Sequence, residues 1–202
     1  MAWYLEIPVG TGEAVVREVI DFSENVRATS VTRTRSWWPG HFMTGRKLDI
    51  GPVWLRIKLG KPYTAVPDVL PIHGPWMVSE TFRKIVEERE PDTHQFFPVE
   101  LQIAKGGAEL GPRYILNVGQ TLNAISVNHS KINWGVRADG SKWAYPPGAD
   151  DDLVVTKTVV HGKSLWSDRL YPANSLISDG IKIAFESAQV LGLRYVRVRE
   201  QD

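Results

Sequence analysis

The clearest alternation in the chain runs from Trp54 to Leu59, with Trp54, Arg56 and Lys58 on one face and Leu55, Ile57 and Leu59 on the other. Side chains on a strand alternate between faces, so this segment predicts a half-buried β-strand. Trp3 to Val9 is aromatic and β-branched and is bounded by Gly10 and Gly12, which predicts a first strand. Phe96 to Ile103 and Pro112 to Val118 predict two more, joined as a hairpin through Gly106-Gly107. Leu153 to Val160 and Leu193 to Arg199 complete the strands. Helical spacing appears twice: Val78, Phe82, Ile85 and Val86 recur in a segment capped by Ser79 and ended by Pro91. Ser178 to Leu191 predicts a second helix, closed by Gly192. Glu13 to Ile20 suits a short helix, while Arg27 to Arg35 has no apolar face.

These elements predict an α+β fold with a mainly antiparallel sheet and two similar amphipathic helix–strand units. Val78-Ser79-Glu80 and Ile177-Ser178-Asp179 stand 99 residues apart, and the spacing continues through Phe82 with Ile181, Glu87 with Glu186, Phe96 with Tyr195 and Val99 with Val198. Each copy reads as an apolar residue, a Ser cap, an acidic residue favoured by the helix dipole, a helix and a strand. The expected organisation is an N-terminal strand and variable segment over 1–36, followed by one domain over 37–202 with similar lobes at about 50–120 and 150–200.

Composition narrows the function. With 43% hydrophobic and 23% charged residues, the 202-residue chain can bury a core and is not of a disordered class. A net charge of +1 supplies no whole-chain field for nucleic acid or an anionic membrane. No cysteine is present, which removes disulfides, thiolate metal sites and thiol nucleophiles. Met1 to Pro8 has no signal-peptide character, and no apolar run is long enough to span a bilayer, so a cytoplasmic protein without a membrane partner is expected. His41, His73, His94, His129 and His161 are too far apart to form a local ligand pair, so neither metal nor cofactor is expected. Nucleophile elbows, phosphate loops and dinucleotide fingerprints are absent. The chain therefore reads as a non-enzyme. The competing readings are a hydrolase or transferase using Asp68, Asp150 to Asp152, His73 or His161, and a sugar-binding module using some of the eight Trp.

Binding candidates are aromatic or acidic. Trp3, Trp54, Trp76, Trp134 and Trp166 sit in apolar patterns that suit a core, whereas Trp37, Trp38 and Trp143 do not. Asp150-Asp151-Asp152 follows a loop-like Tyr145-Pro146-Pro147-Gly148 and predicts an exposed acidic tip. Trp143, Tyr145, Asp150, Asp151 and Asp152 are thus the expected partner-binding face, with Trp37 and Trp38 as a second set. Arg33, Arg35 and Arg46 beside that second set also permit a phosphate contact. Glu87, Glu88, Glu90 and Asp92 read as a solvent face at a helix end that should fray, because acids there oppose the dipole.

The order of landmarks resembles a known family. Trp38-Pro39-Gly40 with Gly45, Pro67-Asp68-Val69-Leu70-Pro71, Met77 to Val86, Gln95-Phe96-Phe97-Pro98-Val99, Tyr114 to Val118 and Leu176-Ile177-Ser178-Asp179 followed by Leu191 to Tyr195 are similar to the bacterial immunity-protein family numbered eleven. The resemblance covers roughly residues 37 to 199. It implies an inhibitor that binds and neutralises a cognate toxin domain by stoichiometric occlusion, and it brings no catalytic residues.

Overall fold

A computed structural model describes residues 1–7, 16–22, 45–48, 55–59, 66–71, 75–102 and 111–202. In chain order the elements are β1 (Ala2–Glu6), β2 (Val16–Phe22), β3 (Leu55–Leu59), β4 (Val69–Pro71), β5 (Trp76–Ser79), α1 (Glu80–Arg89), β6 (Gln95–Gln102), β7 (Arg113–Asn117) and β8 (Thr121–Leu122). They continue with β9 (Trp134–Val136), β10 (Lys142–Ala144), β11 (Val154–Thr156), α2 (Lys157–Val160), β12 (Leu165–Asp168), β13 (Tyr171–Ser178), α3 (Asp179–Ser187) and β14 (Arg194–Gln201). The class is α+β. One six-stranded sheet has the order β2-β3-β6-β7-β5-β4, a second has β11-β14-β1-β13-β12-β8, and among the described residues β9 and β10 pair only with each other. Both large sheets are mixed, because β3–β6, β11–β14 and β8–β12 run parallel among antiparallel neighbours.

Both long helices start where the sequence places a cap. Ser79 is extended, and its hydroxyl accepts the Phe82 N–H at 3.2 Å; Ser178 does the same for Ile181 at 3.5 Å. Glu80 and Asp179 then sit in the favourable first turn. Each helix buries residues four apart on one face, Phe82 with Val86 and Ile181 with Phe185. Ser79→Ala and Ser178→Ala should each lose about 0.5–2 kcal/mol in denaturant unfolding, with the larger loss at Ser79, whose bond is shorter and whose side chain is buried. Parent-like midpoints for both variants would contradict the capping account.

Three elements differ from expectation. Over its described part, the helix expected at 13–20 is strand β2, paired antiparallel with β3; Val16, Val19, Ile20 and Phe22 are residues that favour a pleated surface. The strand expected over 153–160 stops at Thr156 and turns into α2, which brings Val160 onto the buried cluster around Trp166. Helix α3 ends at Ser187 rather than Leu191. There Gln189 adopts φ 54°, and the Gln189→Glu186 and Val190→Phe185 backbone bonds form a Schellman closure four residues before the expected end. Gly192 instead permits a close approach of two chain segments. At φ +93° its Cα passes so near Val69 that a Cβ would lie 2.5 Å from the Val69 carbonyl oxygen.

The core joins the two sheets. Val69, Val78 and Leu116 of the first meet Leu5, Leu165 and Ile177 of the second around α1 and α3, and the Phe82 and Phe185 rings stack at 4.6 Å. A second cluster lies on the other face of the second sheet, where Tyr4, Trp166, Leu176, Val196 and Val198 alternate with residues of the first cluster. Trp76 and Trp166 are buried, and Trp3 and Trp134 are partly buried. Trp37, Trp38, Trp54, His41 and His73 lie outside the described residues.

Candidate partner-binding surface

The β9–β10 hairpin brings Trp143 and Tyr145 together. Trp143 lies opposite Gly135 in the antiparallel pair, and a Cβ on Gly135 would sit 2.1 Å from Trp143 Nε1, so the glycine clears space for the indole to lie across the strand. The Trp143 ring then packs on Tyr145 with centroids 4.2 Å apart. The hairpin is tied to the fold by Ala144 N–H to Leu170 C=O at 2.7 Å, and Ala144 is buried. Its outer surface is different: Val136 is 67% exposed and Tyr145 43% exposed. Arg137 and Lys142 are exposed as well, and Asp139 in the turn accepts both the amide and the hydroxyl of Ser141.

The Asp150–Asp152 run forms a folded turn whose carboxylates engage the chain itself. Asp150 accepts the Arg197 N–H at 2.7 Å, and Asp152 accepts the Ala149 N–H at 2.9 Å. Asp151, in the left-handed region at φ 64°, pairs with the Arg197 guanidinium, whose hydrogen bonds hold the Asp151 carboxyl below its usual range. Of the three carboxylates only Asp151 is ion-paired, while Asp150 and Asp152 keep their charge beside the backbone amides they accept.

Glu90 corrects the sequence reading most sharply, because it is not a solvent-facing acid. Its side chain is 9% exposed and takes four donors, two on each oxygen. Gln120 Nε2 and the Ser164 N–H reach Oε1 at 2.9 Å each, while His94 Nε2 and the Leu165 N–H reach Oε2 at 2.8 and 3.0 Å. His94, itself buried, accepts the Gly119 N–H through Nδ1. This cluster pins the end of α1 to the start of β12, where fraying was expected. Burial alone would raise the Glu90 pKa, but the bonds from His94, Ser164, Gln120 and Leu165 outweigh it and hold it at about 2, against an ordinary 4.5. A carboxyl depressed on folding stabilises above its unfolded pKa and loses that contribution as pH falls. Between pH 4.5 and about 2 the protein should therefore lose about 3 kcal/mol at this residue. Urea unfolding at pH 7 and pH 3 checks this, and equal stabilities at the two values would contradict it.

Other polar candidates are structural or isolated. Asp168, fully buried, accepts the N–H groups of Ala124, Ile125 and Leu170, while burial pushes its carboxyl above the usual range. Asp68 accepts the Leu191 N–H at 2.9 Å, His129 bonds Ser126 and Gln201, and His161 is exposed beside a cleft of about 360 Å³ that also includes Lys157, Lys163 and Trp166. Among the described residues no group of three His, Asp or Glu is placed to hold a metal ion, and no helix is long and apolar enough to cross a membrane. Glu90 was missed because its neighbours in sequence are exposed acids. The available signal was His94 at the i+4 position, with which Glu90 is paired.

Set against known proteins, residues 53–200 match the model of the Immunity protein family (Imm11). No curated protein matches the chain.

Proposed function

Since the chain belongs to the Imm11 immunity protein family, we propose that it binds a cognate bacterial toxin domain in the cytoplasm and neutralises it by covering its working surface, without catalysis of its own. The observation that carries this reading is the family match over most of the chain. The described site residues fit it: Trp143 and Tyr145 offer aromatic anchors of the kind that dominate interfaces, and Asp150, Asp151 and Asp152 sit on the adjoining stretch of chain. Trp37 and Trp38 are the second candidate set. Expressing the cognate toxin domain, with and without this protein, tests the reading; growth should be restored only when both are made. His161→Ala should restore growth as well as the parent, and failure of that variant with unchanged melting would contradict a non-catalytic role.

We also propose that the chain is a tandem duplication, residues 1–102 and 111–201, in which each copy lends its first strand to the other. Support comes from register. β7 lies between β5 and β6, with Arg113 opposite both Ser79 and Val99. β1 lies between β13 and β14, with Ala2 opposite both Ser178 and Val198, each 99 residues on from those partners. The parallel pairs β3–β6 and β11–β14 correspond, as do the antiparallel pairs β4–β5 and β12–β13. Contacts after the helices are reciprocal as well: Glu90 takes the N–H groups of Ser164 and Leu165, while Leu191 bonds Val69 and Asp68. A protease site built into the 103–110 connection tests the exchange. Once cut, the two pieces should elute as one species and melt as one; separation without denaturant would contradict it.

A further inference from the structure

From the matched registers of the two halves we infer that the cleft between α2 and the start of α3 is a binding site for a guanidinium group, the head of an arginine side chain. The cleft holds about 360 Å³, and Gly162, Lys163, Trp166, Ser178 and Asp179 are among its walls. Register fixes what stands at the same place in the first half. The Ser79 N–H bonds the Asp68 carbonyl as the Ser178 N–H bonds the Ser164 carbonyl. Val69 lies opposite Val78 as Leu165 lies opposite Ile177, so Val66 and Pro67 correspond to Gly162 and Lys163. Arg113 lies opposite Ser79 and Val99, the place that Ala2 takes against Ser178 and Val198.

In the first half this place is filled by a buried arginine. The Arg113 guanidinium donates to the Pro67 carbonyl at 2.7 Å and to the Val66 carbonyl at 3.1 Å, and Arg113 is 5% exposed. In the second half the matching side chain, that of Ala2, stops at Cβ. The matching carbonyls belong to Gly162 and Lys163, which wall the cleft, and no described residue donates to either. Two neighbouring carbonyls suit the two ends of a guanidinium fork better than a single ammonium. Acids are present as well: where the first half has Asp68 and Leu101 the second has Ser164 and Glu200. Glu200, in the cleft wall, already holds a cation, the Met1 ammonium at 3.2 Å, and Asp179 adds a second carboxylate. Against these stand Lys157, Lys163 and the Trp166 Nε1–H, which has no partner among the described residues; all three suit an anion. The open carbonyls decide between the two, because their oxygens accept from a guanidinium and repel an anion. On the immunity reading the group belongs to an arginine of the toxin, and free arginine is the other source.

The test titrates the full-length protein with argininamide, lysinamide and inorganic phosphate while the Trp166 indole N–H is followed by NMR. Argininamide should shift that signal saturably and bind about tenfold more tightly than lysinamide, and phosphate should leave it in place. A shift with phosphate alone, equal binding of the two amides, or no response to any of the three would overturn the assignment. Ala2→Arg should supply the group from within, so the variant should melt at or above the parent temperature and lose its response to argininamide. A variant that melts far below the parent, or that still responds, would overturn the match between the halves. The source is read with the cognate toxin domain, purified with its activity disabled. Ala2→Arg should weaken its binding about 100-fold; parent-like binding would remove the toxin as the source and leave the site to free arginine. A parent protein that does not bind the toxin overturns the immunity reading, while the titration still decides the site.

Discussion

Glu90→Gln is expected to lower the unfolding free energy by about 3 kcal/mol and the melting temperature by about 6–12 °C for a chain of this size. The substitution keeps volume but not chemistry. Four donors converge on the carboxylate, two per oxygen. An amide presents one oxygen and one NH2 group, so whichever way it turns, two of the four donors face another donor. A buried donor left without an acceptor carries its full desolvation penalty. The variant should also lose the acid-induced part of the instability assigned to this carboxyl, because nothing remains at position 90 to protonate. Calorimetry at pH 7 and pH 3 reads both effects; a variant as stable as the parent at pH 7 would mean that the cluster does not bind the two sheets together.

Phe185→Ala should cost about 3–5 kcal/mol, the range for removing a fully buried ring. Phe185 is 0% exposed and stacks on Phe82 at the point where α1 meets α3. Its removal leaves a cavity in a buried cluster that draws on both sheets, with Val78 and Leu116 from the first and Leu165 and Ile177 from the second. The loss should appear as one cooperative transition shifted down as a whole, not as early melting of one half. Ile183→Ala, on the same helix but 54% exposed, should stay within about 0.5 kcal/mol of the parent. A two-step transition in Phe185→Ala would show that the sheets have separate cores.

How far the sequence could be read follows from where the determining contacts lie. Ser79-Glu80 and Ser178-Asp179 announce helices because cap, dipole and apolar face all lie within a few residues. The β6–β7 hairpin is legible for the same reason, since its strands are neighbours in the chain. Glu90 is not, because Gln120, Ser164 and Leu165 are supplied by distant parts of the chain. The place of β1 between β13 and β14 is equally hidden: Ala2 to Glu6 reads as a strand, but nothing local says that its partners lie more than 170 residues away. Gln189 ends α3 through a left-handed residue that is not glycine, which propensity argues against. At the candidate interface the aromatic residues were visible and the acidic turn was visible, yet the commitments of Asp150, Asp151 and Asp152 to Arg197 and Ala149 were not.

Stoichiometric occlusion is tested most directly by titrating a fixed amount of the active cognate toxin domain with this protein and following toxin activity. Occlusion by a tight one-to-one complex predicts a straight fall in activity that reaches zero at one equivalent, with the complex recovered at that ratio. Activity that persists past several equivalents, or that is abolished by a small fraction of an equivalent, would contradict it, the first because nothing is being covered and the second because only turnover can disarm more toxin than there is inhibitor.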